Sequence, residues 1–161
     1  MSIDRNRINK DDFLKDLLYL LRETFEGSPE GEGGAYLDDG ISFFSSIENR
    51  TAEEVSIEIN GTSVVAHVEH AKFYLDRLVE FIQGESQKVN WELSWLIESV
   101  DDKEWEILRG GVRKSYENAL QCFANVEIWK EDTIGEAISM IVHTAYHLGA
   151  IRQMLKAIER A

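Results

Sequence analysis

Proline occurs once in this sequence of 161 residues, at Pro29, and this scarcity limits the possible folds more than any other feature. Because proline breaks helices and is excluded from central strands, a chain almost without it can form long, uninterrupted elements. Apolar residues recur at spacings of three and four along most of the chain, as in helices with one buried face. The pattern predicts an all-helical protein. The length suits one domain with its own core, which we expect to span residues 1–161.

The first two amphipathic helices have clear ends. The first follows Asn9, which can cap its first turn, and its apolar face spans 13–24. The second begins at Thr62 or Ser63 and runs to Gly84, a residue suited to the left-handed position after a helix. Both helices have charged residues opposite their apolar face, so we expect each to cover a shared core.

Two further helices complete the predicted fold. The third carries its apolar face over 105–123, and Gly110–Gly111 predicts a kink or a delayed start. The last begins with a capping box formed by Thr133 and Glu136 and runs to about Arg160. Four such helices most economically form a four-helix bundle, with a long loop after the first helix.

The connections carry weaker signals. Five glycines or prolines in the segment 26–34 predict a long, mobile loop. The segments 41–49 and 51–59 are typical of short helical pieces or irregular packing segments, and the Asn-Gly pair at 60–61 ends them. These segments are expected to lie between the first and second long helices.

Three tryptophans, at Trp91, Trp95 and Trp105, cluster before and at the start of the third helix. They could fill the core under a loop or form a platform on which bases stack. Base stacking needs a basic groove, and the basic residues here are scattered among acids. The pattern therefore favours core packing.

Charge and cysteine content exclude several classes of function. The chain has 30 acidic and 17 basic residues, a formal net charge of -13, which disfavours binding to nucleic acid or to an anionic membrane. Cys122 is the only cysteine, so no intrachain disulfide can form, and its apolar neighbours predict a core position. The polar N-terminus lacks a signal-peptide pattern, and no run has the length of a membrane span, so we expect a cytoplasmic protein.

The stretch HTAYHLGAIRQML, residues 143–155, places two histidines on or beside the inward face of the last helix. His143 and His147 are four residues apart, so their rings project from successive turns and can converge on one ion. Alone, this pair is compatible equally with a metal half-site and with two hydrogen-bonded core residues.

The second helix carries the other two histidines of the chain. On a helical wheel His67 lies about 50° from the centre of the apolar stripe and His70 about 110° from it, so His67 is the inward candidate. With His143 and His147 it would form a three-histidine set that zinc, nickel or iron accepts, with positions open for water or substrate. The pattern favours a metal site over a core role, because each buried ring nitrogen needs a partner.

Three stretches together resemble the DinB/YfiT-like superfamily. They are SVVAHVEHAKFYLDRL at 63–78, VNWELSWL at 89–96 and MIVHTAYHLGAIRQML at 140–155. The resemblance in order and spacing extends from about Gly61 to the C-terminus. It implies a four-helix bundle in which a histidine of the second helix and the H-x-x-x-H pair of the last helix hold a divalent metal.

Carried onto this chain, the family pattern implies the ligands His67, His143 and His147. His70, one turn further along, departs from the pattern and could replace His67 or support it. The implied ion is zinc or nickel, with iron or manganese as alternatives.

The resemblance also implies a chemistry, since some relatives are transferases or isomerases that use a small thiol. A bound metal stabilises a thiolate near neutral pH, so a thiol S-transferase or a related metal-dependent enzyme is expected. The alternative is a non-catalytic bundle in which the metal or the histidines complete the core. A homodimer is expected from similar bundles. Tyr146 and Arg152 lie near the pair but are more typical of packing residues, and the cap explains Glu136.

Overall fold

The computed structural model describes residues 9–85 and 88–160, and this part of the chain is mostly helical, as predicted. A short 3₁₀ helix spans Trp91–Trp95. In chain order the elements are α1 Lys10–Glu26, α2 Phe43–Ile47, α3 Ala52–Val55, β1 Glu58–Ile59, β2 Thr62–Ser63, α4 Val64–Ile82, α5 Asp102–Asn125 and α6 Glu131–Ile158.

The predicted ends of α1 and α4 are confirmed. Asn9 caps α1, its side chain accepting a hydrogen bond from the backbone N–H of Asp11. Ser63 caps α4 by accepting from the backbone N–H of Ala66. Gly84 follows α4 with φ of 93°, the left-handed conformation that glycine adopts without steric cost.

The beginnings of α5 and α6 differ from the prediction. Helix α5 begins at Asp102 and continues through Gly110–Gly111. Of the two features predicted for this pair, a kink or a delayed start, the delayed start is wrong. Helix α6 begins at Glu131, two residues before Thr133, and the predicted capping box of Thr133 and Glu136 is wrong. Acidic side chains in the first turn, Glu131 among them, favour this earlier start because they interact favourably with the positive end of the helix dipole.

The four long helices contribute most of the hydrophobic core, and α2 and α3 contribute the rest. Helix α4 packs against both α5 and α6, and α1 packs against the same two helices. Trp105 and Cys122 are buried in this core, as predicted. None of the helices in the described ranges is long and apolar enough to cross a membrane.

The connection after α1 is held against this helix by one buried carboxylate. Glu23 is 1% exposed, and its two oxygens accept hydrogen bonds from the backbone N–H groups of Ala35, Tyr36 and Leu37. Thr24 adds a contact of 2.6 Å between its Oγ1 and the Tyr36 hydroxyl. The chain therefore returns to α1 through several specific bonds directly after the glycine-rich segment 26–34, whose expected mobility stays a prediction.

The segment before α4 was predicted to form short helical pieces or irregular packing segments, and it contains two short helices, α2 and α3, each of which begins with its own capping box. It also contains a hairpin that was not predicted. Asn60 and Gly61 connect β1 to β2 with φ of 53° and 82°, the positive values that a type I′ turn requires. The Asn-Gly pair thus forms the turn of a hairpin rather than a simple end of the segment.

Candidate metal centre

The four histidines of the chain meet where α4 packs against α6. His67 and His70 come from the first two turns of α4, and His143 and His147 from the middle of α6. His147 is 3% exposed, and the other three rings are partly buried. The fold thus brings together every histidine that the sequence singled out.

Three of these rings direct the same nitrogen toward one another. Nε2 of His143 lies 3.0 Å from Nε2 of His70 and 3.2 Å from Nε2 of His147. The ligand atoms of the three residues all lie within 4.8 Å of one another. We call this set the Nε2 cluster.

Ser94 fixes which nitrogen of His70 carries the proton. The Ser94 hydroxyl donates to the carbonyl of Trp91 at 2.6 Å, so its single proton is committed there. The contact of 2.7 Å between Ser94 Oγ and His70 Nδ1 must then be donated by the histidine. In the neutral ring, His70 therefore directs an unprotonated Nε2 at His143.

Burial keeps the rings neutral near pH 7. Burial, together with the smaller effect of nearby imidazolium charge, lowers the pKa of His147 to about 3 and that of His143 to about 4. Burial also lowers the pKa of His70 and of His67. Protonated rings therefore do not supply extra donors to this cluster at neutral pH.

The donor set suits a divalent cation. A proton on Nε2 of His143 cannot point straight at both neighbouring nitrogens, so the neutral rings bring lone pairs together without enough protons between them. Two nitrogens held about 2.0–2.1 Å from one ion, at roughly 90° to 109°, would be separated by about 2.9 to 3.4 Å. The observed separations of 3.0 and 3.2 Å fall in this range.

His67 occupies a different place from the one expected for a ligand. Its Nδ1 lies 2.9 Å from Nδ1 of His147, the nitrogen of that ring opposite the cluster. His70, which the sequence left as the alternative, supplies the third converging nitrogen in the described residues. The structure thus brings the expected pair His143 and His147 together with His70, and sets His67 behind His147.

Aromatic rings enclose the cluster. Trp95 stacks on the ring of His70 with centroids 4.1 Å apart, and Tyr74 stacks on His143 at 3.6 Å. Trp91 packs against Tyr74 at 5.3 Å. Trp91 and Trp95 are 41% and 43% exposed, so the prediction that they fill the core is wrong for these two.

Two of the cluster rings are oriented by hydrogen bonds on the far side, and the third is not. Nδ1 of His70 contacts Ser94, and Nδ1 of His147 contacts His67. Nδ1 of His143 is buried and has no hydrogen-bond partner within the described ranges. Stacking on Tyr74 is the contact that orients this ring.

Ser94 and Tyr74 were missed as site residues. A serine between two tryptophans carries no signal for a histidine partner, because the contact depends on how the 3₁₀ helix lies across α4. Tyr74 was not singled out from the sequence. Its spacing of four from His70 indicated a shared face but not a contact with α6.

Two cavities differ in their relation to the cluster. A groove of about 920 Å³ between α4 and α5 is lined by no histidine. Four of its charged residues neutralise one another in the ion pairs Lys72–Asp76 and Arg77–Glu80. A second cavity, of about 690 Å³, is lined by His67 and Trp95 and therefore adjoins the cluster. We call this second one the hairpin cavity, because β1, β2 and residues 95–99 form its walls.

Comparison of this chain with protein-family models, with curated proteins and with solved structures found no match.

Proposed function

We propose that this protein is a DinB-like four-helix bundle that binds one divalent metal ion through His70, His143 and His147. The convergence of three Nε2 atoms, two pairs of which are 3.0 and 3.2 Å apart, carries this proposal. Imidazole nitrogens are preferred by zinc and nickel and also accepted by iron and manganese. This ligand set replaces His67 of the sequence-based assignment with His70.

The proposed reaction is transfer of a small thiol to an electrophilic substrate. Three protein ligands leave coordination positions open, and a divalent ion bound there would hold a thiol as its thiolate near neutral pH. The sulfur forms a bond to the electrophilic carbon while the leaving group departs with its electron pair. The proton of the thiol passes to solvent, so all atoms and charges of the reaction are accounted for.

The protein residues around the cluster would orient the ligands and limit access of water. Ser94 holds the ring of His70 through Nδ1, and Trp95 covers the same ring. His67 holds the ring of His147 from behind. Residues that orient metal ligands in this way typically affect metal affinity about 10- to 100-fold.

The thiol is not supplied by the chain. Cys122 is 6% exposed, lies in α5, and burial raises the pKa of its thiol. A protonated, buried thiol is a poor nucleophile and a poor metal ligand. An external thiol is therefore the co-substrate that this proposal requires.

Metal content is the first test. The purified protein is dialysed against Zn²⁺ or Ni²⁺, and bound metal is measured by elemental analysis. We expect one ion per chain in the wild type and in Cys122→Ser, and none in the double variant His143→Ala/His147→Ala. A wild-type protein without stoichiometric metal would overturn the proposal.

Activity is the second test. The metal-loaded protein is incubated with 2-mercaptoethanol and monobromobimane, and thioether formation is followed by fluorescence. Rate enhancement that depends on the metal and is lost in the double variant supports the transferase. If thioether forms no faster than without protein while metal removal only lowers the melting temperature, the non-catalytic bundle is the better description.

Two further expectations belong to this proposal. We expect a homodimer, which light scattering of the purified protein would measure. We also expect a cytoplasmic location with no nucleic-acid partner, in keeping with the formal net charge of -13.

A further inference from the structure

We propose that the hairpin cavity binds the ammonium group of a small organic amine and presents the rest of that ligand to the histidine centre. The cavity has a volume of about 690 Å³. Sites for small organic ligands typically measure about 300–1,000 Å³. The cavity is therefore large enough for a complete small molecule.

The position of the cavity connects it to the Nε2 cluster. His67 lines the cavity and contacts His147 with a distance of 2.9 Å between the two Nδ1 atoms. Trp95 lines the cavity and stacks on His70. A ligand in this cavity would thus be separated from the cluster by single side chains.

The charge of the lining favours a cation. Glu58 and Glu98 are both exposed residues that line the cavity, while no lysine or arginine does. In the described part of the chain, neither carboxylate takes part in an ion pair. Two unpaired carboxylates attract an ammonium group and repel a carboxylate or phosphate.

The neutral part of the lining suits the remaining features of an amine ligand. Thr62 lines the cavity, and its Oγ1 has no hydrogen-bond partner in the described ranges, so its hydroxyl is free to bond a ligand that reaches it. The indole of Trp95 is 43% exposed and offers an aromatic face to an apolar body or a cation. A primary amine with an aromatic or apolar body combines these requirements.

The test compares two probes of similar size and opposite charge in the metal-free, full-length protein. Phenethylamine, which is an ammonium ion at pH 7, and 3-phenylpropionate are each titrated while the indole N–H resonance of Trp95 is followed by nuclear magnetic resonance. We expect saturable shifts with phenethylamine and a roughly three- to tenfold weaker effect, or none, with 3-phenylpropionate. Equal binding of the two probes, or no binding of either, would overturn the proposal.

Two double variants that remove the same amount of charge test whether the preference for phenethylamine arises in the cavity. Glu58→Gln/Glu98→Gln removes both carboxylates of the cavity, whereas Glu106→Gln/Glu117→Gln removes two exposed carboxylates of α5 that do not line it. We expect the first variant to lose the preference for phenethylamine and the second to keep it. A preference that survives the first variant, or disappears in both, would contradict a site in this cavity.

The role of the amine as a substrate rests on the proposed thiol-transfer function and is tested separately. Protein loaded with Co²⁺ is titrated with cysteamine, 2-mercaptoethanol and mercaptoacetate, and thiolate binding is read from the sulfur-to-cobalt charge-transfer absorption. We expect affinity to fall in that order, from cation to neutral thiol to anion. Failure of Co²⁺ to bind counts against the metal centre alone, whereas thiolate binding without this order counts against the amine as substrate.

Discussion

His67 and His70 lie one turn apart on α4. The helical wheel favoured His67 as the ligand and left His70 as the alternative, whereas in the structure His70 belongs to the Nε2 cluster and His67 lies behind it. The wheel measures position relative to the apolar stripe of a single helix, and His70 lies about 110° from its centre. The cluster, however, lies at the border of the α4–α6 contact, where His143 is also a boundary residue. Two boundary faces meet there, and the 3₁₀ helix covers them through Ser94. This meeting depends on tertiary placement, which periodicity within one helix does not encode.

The two residues are expected to differ in their effect on metal affinity. We expect His70→Ala to weaken Zn²⁺ binding by more than about 100-fold, because it removes a ligand, and His67→Ala to weaken it by about 10-fold, because it removes only the residue that orients His147. Isothermal titration with Zn²⁺ measures both. The reverse order of affinities would return the third ligand position to His67.

At the scale of single elements, the sequence predicted what depends on near neighbours along the chain. Asn9 was identified as a cap, and the start of α4 was predicted at Thr62 or Ser63, because a helix cap bonds to a backbone group two or three residues away. The predicted capping box at Thr133 is absent because the acidic residues Glu131 and Asp132, two and one positions earlier, favour an earlier start of the helix. Glu23 was not identified at all, since its partners lie 12 to 14 residues further along in a loop.

Gly34 lies so close to the Glu23 carboxylate that a side chain does not fit at this loop position. A methyl group added there would overlap the Glu23 carboxylate and the carbonyl of Leu37. We therefore expect Gly34→Ala to lower the free energy of unfolding by about 1–3 kcal/mol, as measured by urea denaturation. An unchanged unfolding midpoint would contradict the tight packing of this loop against α1.

Gly110 offers the opposite case. It lies within α5, is exposed, and an added methyl group would meet no atom within 4 Å. Because alanine loses less backbone entropy than glycine in a helix, Gly110→Ala is expected to raise the free energy of unfolding by about 0.5–1 kcal/mol. The same urea measurement applies, and a loss of stability would indicate that the helix is distorted at this glycine.

For the whole molecule, the number of long helices and their order were predictable, but their contacts were not. Helical periodicity and the scarcity of proline are properties of the chain itself, and they predicted α1, α4, α5 and α6. The hairpin cavity depends on how the segment before α4 approaches residues 95–99, some 35 residues later. No periodicity reports such a contact, so the cavity could not be predicted.

The neutral histidines make the stability of the metal-free protein dependent on pH. The pKa values of His143 and His147, about 4 and about 3, lie below their ordinary value of 6.5. At pH values between the lowered pKa values and 6.5, the unfolded chain binds more protons than the folded one. The free energy of unfolding therefore decreases as the pH falls from 6.5 toward 4.

Urea denaturation of the metal-free protein at pH 7 and at pH 4.5 measures this loss. The variant His143→Gln/His147→Gln is the control, because it removes the two groups whose pKa is lowered most. We expect the wild type to lose more stability than this variant between the two pH values. An equal loss in both proteins would assign the pH dependence to other groups.

Glu23 also determines how a protease would act on this chain. Tyr36 is 44% exposed in a glycine-rich connection, which is the usual setting for cleavage by chymotrypsin. The peptide bond that follows Tyr36, however, contains the N–H of Leu37, which donates to Glu23 at 2.8 Å. A protease must bind this stretch in an extended form, so cleavage requires the carboxylate to release its three amides first. Cleavage of the loop would therefore be limited by the fraction of molecules in which it is detached from α1, despite its exposed surface.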